Sequence, residues 1–67
     1  MKIDKVKFYA ACANSNLTYF EVAKKAGVSR NTIISVNRGR NVNSKTLGRL
    51  TKVLNIEPLE LVLKEGV

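Results

Sequence analysis

The segment TYFEVAKKAGVSRNTIISVNRG, residues 18–39, decides the fold, because it reads as two short helices joined by a glycine turn. Thr18-Tyr19-Phe20-Glu21 is a capping box: the Thr18 hydroxyl and the Glu21 carboxylate can each satisfy a backbone N–H that the first helical turn leaves unpaired. Val22, Ala23 and Ala26 then fall on one helical face. Gly27 comes where a sharp turn needs a residue tolerant of positive φ, and the apolar Val28 can fill the angle between the helices. Ser29 is a good N-cap for a second helix with Thr32, Ile33 and Val36 facing inward and Arg30, Asn31, Ile34 and Ser35 facing out. Gly39 suits the C-terminal cap, with Arg38 and Arg40 beside it where positive charge complements the helix dipole. The two helices are expected at about residues 18–26 and 29–38.

Upstream, a helix from about Ile3 to Ser15 is expected, with Asn16 as its left-handed cap and Leu17 tucked under the next helix. Phe8, Ala11 and Cys12 share one face of it, while Ile3, Val6, Tyr9, Ala10 and Ala13 share another. A helix apolar nearly all round is either sandwiched within a fold or partly covered in a dimer. Downstream, Arg40 to Val42 form a short loop and Asn43 caps a fourth helix, in which Leu47, Leu50, Val53 and Leu54 recur at helical spacing. Gly48 costs that helix about 1 kcal/mol relative to alanine, which implies either a close helix approach or simple tolerance. Asn55 ends it in the left-handed region, and Pro58 opens a short last helix supplied by Leu59, Leu61, Val62 and Leu63. Lys64 to Val67 are expected to fray. No strand-like alternation competes, so the fold class is all-α: five helices in one compact domain spanning residues 1–67.

The net charge of +7 points to a polyanionic partner, and its distribution sharpens this. From Val22 to Ile56 the chain carries Lys24, Lys25, Arg30, Arg38, Arg40, Lys45, Arg49 and Lys52 and no acid; Asp4, Glu21, Glu57, Glu60 and Glu65 all lie outside. One cysteine and no histidine exclude a tetrahedral zinc site and an internal disulfide, which suits a reducing cytoplasm. Cys12 reads as a small core residue, because no base accompanies it. With few carboxylates and no glycine-rich phosphate loop, neither catalysis nor a cofactor is expected. Asp4, Lys5 and Lys7 interrupt any secretion-signal core, and no apolar run approaches a membrane span.

Leu17-Thr18, Val22-Ala23, Ala26-Gly27-Val28-Ser29, Thr32-Ile33, Val36, Gly39, Thr46-Leu47, Leu50, Leu54-Asn55-Ile56 and Leu61 together resemble the Cro/repressor-type (XRE-like, lambda-repressor-like) helix-turn-helix proteins. The resemblance covers roughly residues 6 to 63. Val22 to Ser29 is also similar to the start of lactose-repressor-type headpieces, but those begin with that helix, whereas here a full helix precedes it.

The resemblance implies a lambda-repressor-like fold that reads duplex DNA with its third helix in the major groove. Carried over by position, the base-facing residues are Arg30, Asn31, Thr32, Ile34 and Ser35. Their chemistry suits the role: arginine can pair with guanine O6 and N7, asparagine with adenine N6 and N7, and Ile34 can meet a thymine methyl. Thr18, Tyr19, Arg38, Arg40 and Lys45 are the phosphate candidates; Lys45, Arg49 and Lys52 read equally as the solvated side of the fourth helix. The expected protein is a cytoplasmic transcription regulator, a repressor, that binds a palindromic operator as a homodimer without a small-molecule ligand. The alternative is a protein-binding regulatory module, an antitoxin or anti-repressor on the same fold, motivated by the apolar first helix and by Phe20. Three positions depart from the family pattern. Tyr19 replaces a common glutamine, Phe20 stands at a usually polar position, and Cys12 and Asn37 replace a frequent arginine–glutamate pair.

Overall fold

Five helices make up the computed structural model, which describes residues 1–63: α1 (Lys5–Asn14), α2 (Tyr19–Ala26), α3 (Arg30–Asn37), α4 (Ser44–Leu54) and α5 (Pro58–Leu61). The expected fraying of Lys64 to Val67 lies outside the described residues. Each of the first four helices begins where a short polar side chain takes up free backbone donors. Asp4 Oδ1 accepts from the N–H of Val6 at 3.0 Å and of Lys7 at 3.2 Å. Both bonds of the Thr18–Glu21 capping box form, and Ser29 Oγ accepts from Thr32 N–H at 3.2 Å. Asn43 Oδ1 accepts from Thr46 N–H at 2.8 Å. Helix ends use positive φ where it was expected: Gly27 (72°), Gly39 (75°), Asn16 (58°) and Asn55 (56°).

The core gathers one face of every helix. Phe8 and Cys12 of α1, Val22 and Ala23 of α2, Ile33 and Val36 of α3, Leu47, Leu50 and Leu54 of α4 and Leu61 of α5 are all buried. Helix α2 packs on both α3 and α4, while α5 packs on α1 and α4. Thr51 is buried among them, its hydroxyl donating back to Gly48 O at 3.1 Å, which is how a polar side chain enters the core without an unmet bond. A Cβ at Gly48 would meet nothing within 4 Å, so this glycine is tolerated and not required by a close approach.

Two expectations are corrected. The first helix starts at Lys5, not Ile3, because the Asp4 carboxylate caps it there. Ile3 is buried all the same, in an extended segment that bridges Lys2 to Asn41 and Ile3 to Val62. Asp4 N–H donates to Leu61 O at 2.7 Å and Leu63 N–H to Lys2 O at 2.8 Å, so the last helix stops at Leu61 where the chain turns to pair with residues 2–4. Within α5, Leu61 is buried while Leu59 is 78% exposed. Helix α1 is sandwiched on one side only: Val6 is 74% and Tyr9 65% exposed.

Candidate nucleic-acid interface

Helix α3 is anchored through Ile33 and Val36, which leaves Arg30, Asn31 and Ile34 on its exposed side. Arg30 and Asn31 are exposed in its first turn, and Ile34 follows one turn later on the same side. Ser35 is half-buried beside them. Thr32 is half-buried too, and its hydroxyl lies 3.0 Å from Ser29 Oγ within the cap, so it is the base candidate most engaged by the fold itself. A polar groove of about 280 Å³ runs along this side of α3, lined by Asn31, Thr32, Ser35, Asn41, Asn43 and Thr46. Sequence reasoning missed Asn41 and Asn43 as members of this surface. The alternation Asn41-Val42-Asn43 is the signal that could have found them: Val42 is half-buried and fixes its polar neighbours outward.

The phosphate candidates surround this surface unevenly. Arg38 is the C-cap of α3 and Arg40 follows after Gly39; both are exposed, and the Arg40 backbone N–H is tied to Ser35 O at 3.0 Å. Lys45 is exposed in the first turn of α4. Thr18 already spends its backbone N–H on Glu21 Oε1, at 2.9 Å, and its hydroxyl is engaged with Glu21 in the same capping box, so it is the phosphate candidate most occupied by the fold. Tyr19 turns back toward α1: its ring stacks on Phe8 with centroids 5.2 Å apart and meets Tyr9 edge-on at 6.3 Å. Desolvation, with Cys12 and Tyr9 adding to it, pushes the Tyr19 phenol above its ordinary value, so at neutral pH the hydroxyl keeps its proton and can donate.

Two cations make contacts that the sequence did not indicate. Arg49 Nη1 donates to Gly27 O at 3.3 Å, tying α4 to the turn that sets the α2–α3 angle. The Arg30 guanidinium carbon sits over the Phe20 ring, 4.1 Å from its centroid. No described helix is long and apolar enough to cross a membrane, and the described residues hold no cluster of His, Cys, Asp or Glu able to take a metal ion. Burial pushes the Cys12 thiol up, away from the reactive thiolate.

The architecture is thus two helices fixed at a glycine turn, the second presenting a polar and basic face. A family model described as Helix-turn-helix matches residues 9–61. Neither curated proteins nor solved structures give a match. The family match covers most of the chain and spans the turn, both helices flanking it, and the α4–α5 pair that packs behind them. This chain belongs to the XRE/lambda-repressor-like helix-turn-helix family and is a DNA-binding regulator of that kind.

Proposed function

We propose that the chain acts as a sequence-specific transcriptional repressor in the cytoplasm, binding a palindromic operator as a homodimer. The observation that carries this reading is the division of α3. Ile33 and Val36 are spent on the core, while Arg30, Asn31 and Ile34 face outward with the three chemistries that read guanine, adenine and thymine edges. Ser35, and Thr32 more shallowly, complete the base-facing set. Arg38, Arg40 and Lys45, with Thr18 and Tyr19 at the start of α2, hold the phosphates on either side.

The size of the molecule supports dimerisation. The molecule measures 32 × 22 × 18 Å and offers one reading helix, so one copy engages one groove. Successive major grooves on one face of DNA lie about 34–36 Å apart, so two copies side by side fit a two-fold site. Repression needs no more than occupancy, since a bound dimer excludes other proteins from the same stretch. Control then acts through the concentration of the protein or through a protein partner, with no small-molecule ligand.

Selection of sites from randomised duplexes, followed by affinity titration over a salt series, tests this reading. The expected outcome is an enriched palindrome whose affinity falls steeply with salt. A monomer protecting an asymmetric site at nanomolar concentration would sink the dimer. A second reading, a protein-binding module, is favoured by the uncovered Val6 and Tyr9 on α1. It predicts partner binding that survives high salt and no sequence enrichment.

A further inference from the structure

Phe20 stands at the second position of α2, a site the family pattern makes polar, and is 43% exposed. Arg30 opens α3 ten residues later, across the turn, and its guanidinium carbon sits 4.1 Å from the centre of the Phe20 ring. We propose that Phe20 is a positioning residue that sets the Arg30 guanidinium for a guanine edge, making the pair a specificity determinant for the base pair Arg30 reads. This rests on the reading of α3 as the base-contacting helix.

The chemistry of the contact supports the assignment. An arginine at the exposed start of a helix samples many rotamers, and ordering it on a base opposes binding. A carboxylate beside it would occupy some of its five N–H donors and offset its charge. An aromatic face holds the cation through its quadrupole and offers no lone pair, so the fork of donors and the full positive charge are kept. The placement matters as much. Because Phe20 is on α2, the ring moves with the scaffold that Gly27, Val28 and the Arg49–Gly27 bond fix against α3. The guanidinium is therefore restrained relative to the reading helix by a residue outside that helix.

The test uses the whole chain and the duplex it selects. Affinities of wild type, Phe20→Leu, Phe20→Tyr, Arg30→Ala and the Phe20→Leu/Arg30→Ala double variant are measured on the selected site, on its single-base variants and on an unrelated duplex. Thermal unfolding confirms that each variant folds. Phe20→Leu is expected to weaken the selected site by about 2–5-fold, the worth of an exposed cation–π contact, and to lower the preference at one base pair by the same factor. The unrelated duplex should be bound as before, Phe20→Tyr should bind like wild type, and Phe20→Leu should change nothing further once Arg30 is alanine. Loss of equal size on every duplex, or loss that persists in the Arg30→Ala background, would show that the ring touches DNA itself and overturn the inference. Unchanged binding by Phe20→Leu to a site that wild type selects overturns the role of Phe20 alone. A wild-type chain that selects no sequence overturns the reading of α3 and the inference with it.

Discussion

Arg30 and Arg38 are both exposed guanidinium groups, but they stand at opposite ends of α3, and that separation decides what their loss does. Arg30→Ala should cost about 1–3 kcal/mol on the selected site and relax the preference at one base pair. Neutralising Arg38 or Arg40 should weaken all duplexes alike and lower the salt slope by about 1 per lost phosphate contact. Titrations on cognate and unrelated DNA over a salt series separate the two classes; an unchanged slope would make Arg38 and Arg40 bystanders. At Glu21 the Thr18 backbone N–H, and then the Thr18 hydroxyl, hold the carboxyl below its ordinary value. A lowered folded value means that this group's stabilisation is full above the ordinary carboxylate range and is lost as pH falls through the lowered value. Glu21→Gln should therefore flatten stability against pH within that acid window, read from urea midpoints. The capping box was legible in sequence because its partners are three residues apart. The Phe20–Arg30 contact was not: whether side chains ten positions apart meet depends on the angle the turn imposes.

The helices differ in what their glycines do, and two substitutions of one kind should act with opposite sign. Gly27→Ala would force a Cβ onto φ +72°, with Arg49 Nη1 at an ordinary 3.9 Å, so the cost is one of backbone conformation, about 1–2 kcal/mol. Gly48→Ala lies within α4 facing open space and should stabilise by about 0.4–1 kcal/mol. Urea unfolding of the two variants checks the pair; destabilisation by Gly48→Ala would mean that this face of α4 is covered in solution. Caps and the inward faces of α2, α3 and α4 could be read from sequence because each is a pattern local to one element. Helix α1 could not be settled that way. Its two apolar faces carry equal periodic signal, and the packing of α5, with Tyr19 of α2 stacked on Phe8, selects Phe8 and Cys12 for the interior over Val6 and Tyr9.

The described fold is closed by residues 1–4 pairing with residues 41–42 and 61–63. Residues 1–4 lie between the loop after α3 and the segment after α5: Val42 N–H donates to Met1 O at 2.8 Å, and Asp4 N–H to Leu61 O at 2.7 Å. Ile3 fills the core from this segment at 2% exposure, so Ile3→Ala should cost about 2–5 kcal/mol, as for a central helix residue, measured by thermal or urea unfolding. A cost below about 0.5 kcal/mol would mean that the terminal bridges do not hold in solution. Single-residue bridges leave no alternation to find, and the partners, Lys2 with Asn41 and Ile3 with Val62, are far apart along the chain, so sequence assigned Ile3 to a helix instead. The same closure bears on how the protein is made. While residues 61–63 are still inside the ribosome, the segment that carries Ile3 lacks its Leu61–Leu63 partner, even though α2, the turn and α3 have emerged and can form from local contacts. A nascent chain, or one cut short by an early stop codon, thus exposes apolar surface to cellular proteases, and translation must run through Leu63 before a durable copy can accumulate.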